Sequence, residues 1–134
     1  MKGAAIISLM KSIPEIVDKL GDDGVLRVFP REAPRDVKTP YGTYRKILNT
    51  PTNSFTSESG FDFARYDLHI YSPIYGECEQ VIELMRKHMA GASGTFAGVE
   101  LNYTEYIDDS DDFNPTTDLH EHLIEFNFNY RRQP

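Results

Sequence analysis

Tryptophan is absent, cysteine occurs once, and positive charge is scarce against negative. The lone Cys78 excludes an intrachain disulfide framework and a cysteine-rich zinc site. Lys and Arg number 14 against 21 Asp and Glu, a formal charge of −7 with histidine neutral. A dedicated nucleic-acid clamp is normally basic and does not fit that balance. Long apolar runs are missing too. The longest is Ala4-Ala5-Ile6-Ile7, far short of a membrane span. Lys2 is followed by an amphipathic stretch without a long apolar core or a small-residue cleavage site, so no secretory signal is expected. A soluble cytosolic product is the expectation.

What is present suffices for one domain. The chain has 134 residues, of which 40% are apolar and 12% aromatic. That composition fits one core and argues against disorder of the whole chain. No internal repeat or low-complexity linker divides it.

Ile6, Leu9, Met10, Ile13, Val17 and Leu20 recur at steps of three and four, which gives one helical face. Pro14 interrupts it, and Ser12 with Glu15 forms a capping-box pattern. The pattern predicts two short helices over 4–11 and 13–20, or one kinked helix. Gly21-Asp22-Asp23-Gly24 ends it. Val25 to Phe29 reads as a strand stopped by Pro30, and a proline-rich loop runs to Pro40. Tyr41 to Leu48 is a second strand of weaker pattern. Arg65 to Tyr71 is a third, with Tyr66, Leu68 and Ile70 on one face and Arg65, Asp67 and His69 on the other.

Between these strands lies a polar stretch, residues 49–64, that carries Phe55, Phe61 and Phe63. It is either a long hairpin with a solvated tip or an arm that orders against a neighbouring subunit. Its three phenylalanines favour the arm, because apolar groups on an exposed segment need a burial partner.

A second helix is predicted from Ile74 to Met89, with Cys78, Val81, Ile82, Met85 and Met89 on its apolar face and acids leading bases along the axis. Gly91 and Gly94 end it. Val99, Leu101 and Tyr103 then alternate with polar residues, as do the even positions from His120 to Tyr130. Asp108, Asp109, Asp111 and Asp112 crowd the segment between, which reads as an acidic turn. Two helices on one face of a mainly antiparallel or mixed sheet of four to five strands make a two-layer α+β fold.

Chemistry-bearing patterns fail one by one. His120 and His122 share one side of a strand and could share a metal, with a third ligand from Asp118, the acidic turn or His69. Their face continues as Ile124, Phe126 and Phe128, so two rim histidines are the plainer reading, and no HExxH or CxxC spacing supports a metal. The aspartate run lacks the calcium-loop pattern. Cys78 lies on an apolar helix face between Glu77 and Glu79, a poor setting for a nucleophile. No glycine-rich loop opens a helix to hold phosphate. Catalytic residues, metal ligands and cofactors are therefore expected to be none, which favours a binding or assembly role.

The order of these cues forms a larger pattern. A proline-split N-terminal helix leads to Val28-Phe29-Pro30. A proline-rich stretch enters Pro40-Tyr41-Gly42-Thr43-Tyr44. Asp67 to Tyr71 runs directly into a helix, and the chain closes in Ile124 to Tyr130. Over about residues 4–132 this resembles the tail-completion and tail-terminator proteins of long-tailed bacteriophages. The resemblance implies an α+β fold, no catalytic activity, and a virion protein of the tail and neck, assembled in the host cytoplasm. It also implies a six-fold ring stacked on the last ring of tail-tube protein and meeting a head-completion protein on its other side.

Three features of the residues agree with that. An aromatic arm with Phe55, Phe61 and Phe63 could clasp the next subunit, as a heterologous closed contact requires, and Tyr41 and Tyr44 are expected at the same subunit or partner interface. Six copies would carry about −42, so DNA passing through would slide without specific binding. The weakly apolar second strand suits an edge open to pairing. Asp108, Asp109, Asp111 and Asp112 are expected at the lumen or the head-side partner. Rival expectations are a small metal-binding or hydrolytic protein using His120 and His122, a two-fold adaptor using the edge strand, and a twelve-fold head-side connector, against which the strand-rich second half argues.

Overall fold

The computed structural model describes residues 1–53 and 58–132, with side chains described outside 52–59. Helix α1 (Gly3–Lys11) buries Ala5, Ile6, Leu9 and Met10, and α2 (Pro14–Leu20) buries Ile16 and Leu20. The two are separate helices. Pro14 opens α2, where its missing N–H costs nothing. The expected capping box does not form: Ile13 is the cap residue and gives no side-chain bond. The Ser12 hydroxyl instead turns back and donates to the Leu9 carbonyl at 2.5 Å, closing α1.

A two-residue hairpin follows, β1 (Gly21–Asp22) with β2 (Val25–Leu26). Asp23 and Gly24 in its turn both have positive φ, at 49° and 80°, the backbone that a tight hairpin of matching twist needs. The strand expected over Val25 to Phe29 is thus divided at Arg27. That buried guanidinium binds Asp22, the Lys19 carbonyl and the Pro40 carbonyl, and β3 (Val28–Pro30) begins beyond it.

The main sheet has six strands in the order β3-β4-β5-β8-β7-β6. Its members are β3, β4 (Tyr41–Asn53), β5 (Glu58–Ser72), β6 (Gly94–Phe96), β7 (Val99–Asn114) and β8 (Leu119–Arg131). Only β3 and β4 run parallel. The architecture is α+β as expected, but three helices stand where two were expected, and a six-stranded sheet with a separate two-stranded one replaces the sheet of four to five strands. β1, β2 and β6 are two or three residues long, too short for alternation to show. Most of the stretch 49–64 is hairpin: Asn49 pairs with Ala64, Thr50 with Phe63 and Pro51 with Asp62. Asp108 to Asp112 likewise lie within β7, not in a turn, paired with Glu121 to Glu125 of β8. Acidic residues persist there because that part of β7 is exposed, and a solvated edge strand tolerates charge.

Even-numbered residues of β5 and β8 face the helices, and odd-numbered ones face away. Helix α3 (Tyr75–Met89) lays Cys78, Val81, Ile82, Met85 and Met89 onto this face. They meet Leu68, Ile70, Ile124, Phe126 and Phe128 in one core, which α1 and α2 complete. Side chains such as Ile6, Val81 and Phe126, at 0% exposure, each contribute about 1.5–3 kcal/mol by burial. After α3, Gly91 at φ 78° turns the chain and donates to the Thr104 carbonyl of β7 at 2.6 Å.

β7 carries two bulges, after Leu101 and after Tyr106, and β4 carries one, after Lys46. Through β5 and β8 the β4 bulge is level with the second of these: Lys46, Tyr66, Phe126 and Tyr106 form one rung. An extra residue in each of the two flanking strands at this matched height curls the sheet.

Candidate assembly surface

The helices leave the other face of the sheet uncovered among the described residues. Near its first rung Tyr41 stacks on Tyr71, with centroids 4.9 Å apart, and His69 also stacks on Tyr71 at 6.2 Å. Burial holds the His69 imidazole below the ordinary histidine range. In the middle Arg45 reaches the buried Asp67 carboxylate at 3.7 Å. Asp67 Oδ1 and Arg65 Nε are buried without a hydrogen-bond partner. Glu125 beside them has its pKa raised, first by burial and then by the Asp67 charge. At the far end Phe63 meets Tyr103 edge-on at 6.2 Å, and Arg131 lies over the Phe61 ring at 4.8 Å while pairing with Glu100 at 2.8 Å.

The residues singled out from sequence therefore separate. Tyr41, Phe61 and Phe63 share the uncovered face, but Tyr41 stands level with Tyr71, eight residues along β5 from Phe63. At about 3.4 Å per residue that is roughly 27 Å. Tyr44 is on the helix face, packed against Gly3 and 6.2 Å from the Tyr66 ring. Phe55 lies outside the described residues. β4 is an interior strand at Gly42 to Tyr44, where β3 covers it, and has no described strand outside it from Arg45 onward.

The four aspartates also divide. Asp108 and Asp112 pair with Glu125 and Glu121 on the uncovered side. Asp109 and Asp111 point to the helix side, where they meet residues that sequence reasoning missed. The Tyr75 hydroxyl donates to Asp111 at 2.9 Å, the Tyr106 hydroxyl donates to Asp109, and the Arg86 guanidinium lies 4.1 Å over the Tyr106 ring. Tyr75, Arg86, Asp109 and Asp111, with Glu79, Glu83 and His122, line a cavity of about 270 Å³ between α3 and β7. Glu79 and Glu83 were legible as acids off the apolar face of α3, but nothing in the chain order says that α3 lies beside the aspartates.

His120 and His122 do share a side, with the Tyr75 ring edge-on to both at 5.4 and 4.9 Å. His69 is on the opposite side of the sheet. Among the described residues no three His, Cys, Asp or Glu are grouped to hold a metal ion. Cys78 is buried, its thiol directed to the Ile70 and His120 carbonyls at 3.6 and 3.7 Å and pushed up to about 11, chiefly by burial. No described helix is long and apolar enough to cross a membrane.

With the fold and this surface established, comparison with known proteins decides the family. The family model described as "Tail completion protein gp17" matches residues 4–131. The chain belongs to that family. It is a phage tail-completion protein, a structural component of the tail. A solved chain from the virion of a native gene transfer agent particle aligns at TM-score 0.63 with 8% identity, covering 78% of each chain. A second solved chain aligns at TM-score 0.57 with 13% identity, covering 100% of this tail-completion protein and 99% of that chain. At such identities these two show the fold. No curated protein matches.

Proposed function

We propose that this tail-completion protein forms a hexameric ring that caps the tail tube and joins it to the head around the DNA channel. The family match across residues 4–131 carries the reading. The partners are five further copies, a tail-tube protein on one side and a head-completion or connector protein on the other. The role is structural, without catalysis, and its place is the tail and neck of the virion.

The geometry supports assembly in two ways. The uncovered sheet face ends in aromatic groups, Tyr41 with Tyr71 and Phe63 with Tyr103, and holds charged atoms that lack partners. Such a face gains from contact with another protein surface. Tyr41, Phe61 and Phe63 would contribute to a subunit or partner interface there, with Phe55 nearby in sequence. Asp108 and Asp112 would face the lumen or the head-side partner, where a net charge of −7 per copy repels DNA from the wall and lets it slide.

Native mass spectrometry over a concentration series tests this. A closed six-subunit species is expected. A stable dimer at every concentration would sink the ring and favour a two-fold adaptor.

A further inference from the structure

We propose that the acidic cavity between α3 and β7 receives the Arg35 and Lys38 side chains of a second copy of this chain, fastening neighbours head to tail. The proposal rests on the ring reading above and adds the contact that closes it.

The first observation is an open edge that refuses strands. β6 pairs only with Val99 to Leu101, so Asn102 to Asn114 of β7 has no described strand outside it. An open edge invites another strand. Here Asp108, Asp109, Asp111 and Asp112 stand along it, and like charges brought opposite each other repel. Two such edges cannot pair. The group that fits is a cation on a loop.

The second observation is a buried nitrogen with nothing to bind. Among the described residues, Glu79 and Glu83 from α3 and Asp109 and Asp111 from β7 supply four carboxylates to the cavity, and Arg86, stacked on Tyr106, is the one cation lining it. Carboxylates alone would signify only a solvated rim. His122 from β8 also lines this cavity, is 3% exposed, and has its Nε2 buried without a hydrogen-bond partner. Buried polar atoms are nearly always paired, so this one calls for a ligand. A neutral imidazole nitrogen accepts a hydrogen bond, and burial keeps His122 on the neutral side despite Asp111, Glu79 and Asp109 nearby. An ammonium or guanidinium satisfies the imidazole and the carboxylates together.

The third observation locates those cations on the chain itself. The loop from Arg31 to Pro40 joins β3 to β4 and exposes Arg31, Arg35 and Lys38. Glu32 and Asp36 in the same loop leave it one positive charge in surplus. Lys38 is 70% exposed and only 3.8 Å from the half-exposed Asp22, an ion pair worth little. The loop leaves Pro30, level with Tyr44, and returns at Tyr41. Across the sheet Gly42 is level with Ile70, His122 and Asp111, and Tyr44 with Leu68, Ile124 and Asp109. The two ends of the cationic loop on one flank and the acids on the other thus sit at the same height. A repeated contact between unlike flanks is heterologous, and it closes into a ring when each step includes a rotation.

Charge reversal tests the contact. Asp109→Lys with Asp111→Lys, and separately Arg35→Glu with Lys38→Glu, alter exposed side chains only. Each double variant should keep its circular dichroism and raise the dissociation concentration of the ring at least about tenfold. Mixed in equal amounts, the two should recover a ring with alternating subunits, because every contact is again between opposite charges. If both variants assemble like the wild type, or the mixture fails to recover, the docking is wrong while the ring stands. If the wild type is monomeric at every concentration, the solution ring loses its support and disulfide trapping decides the docking. Lys38→Cys and Asp111→Cys, mixed under mild oxidation, should cross-link in the first case of contact, since Cys78 is buried; no cross-link would overturn it.

Discussion

The Tyr75 hydroxyl donates to Asp111 Oδ2 at 2.9 Å, tying the first turn of α3 to the acidic half of β7. The same ring packs edge-on against His120 and His122. Because the hydroxyl is solvated, water competes for its bond, while the ring contacts have no substitute. Tyr75→Phe should therefore lower the urea midpoint slightly, and Tyr75→Ala clearly more. Equal losses in the two variants would mean that the hydroxyl carries the contact.

Gly3 and Tyr44 share a space that admits no methyl group. A Cβ at Gly3 would fall 2.3 Å from the Tyr44 ring. Gly3→Ala gains helix propensity of about 1 kcal/mol, but overpacking costs about 1–3 kcal/mol. A net loss of stability is expected in urea unfolding, recovered in part when Tyr44→Leu is added. A gain in stability from Gly3→Ala alone would contradict the packing described.

Cys78 should behave as a core residue. Its thiol is buried and pushed up to about 11, so little thiolate is available at neutral pH. Dithiobis(nitrobenzoate) should react with it only in unfolded protein. Rapid labelling of the native state would refute its placement.

Acid should weaken the fold through two histidines. His69 and His122 are both held below the ordinary 6.5, with burial as the leading cause. The unfolded chain then binds protons more readily than the native one. Their contribution is complete above about pH 6.5 and declines as pH falls through that value toward the native pKa values. Glu125, whose pKa is raised, acts in the opposite sense but only near the carboxylate range. Urea unfolding at pH 7.5, 6.5 and 5.5 should show falling stability, and histidine titration by NMR should place both residues below 6.5. Rising stability over this interval would exclude the assignment.

How much of this was legible beforehand follows from pattern length. The α3 face, Cys78 to Met89, and the two faces of β5 and β8 were readable because periodicity repeats along them. β1, β2 and β6 were not, since two or three residues carry no period. The aspartates were misread as a turn because charge is a poor guide to strand where one edge is solvated. The cavity beside them was illegible for a different reason. It joins Glu79 to Asp111 and His122, and such contacts depend on which strand lies beside which helix. Ser12 shows the same limit on a small scale: its spacing from Glu15 suits a cap, yet its hydroxyl closes the preceding helix.

The level bulges of β4 and β7 fix the shape of the sheet by arithmetic rather than by side-chain fit. At their shared rung each flanking strand spends one more residue than its inner neighbour, so its contour is longer and the surface must arch. Arching of this origin tolerates exchange of one side chain for another. It does not tolerate a change in residue count: deleting Ile47, the extra residue of the β4 bulge, would leave Leu48 next to Lys46 in regular pairing with Arg65 and let the sheet flatten there. The curvature of this protein is therefore inherited as a length, and the family's variation along these two strands should run through substitution far more than through insertion or deletion.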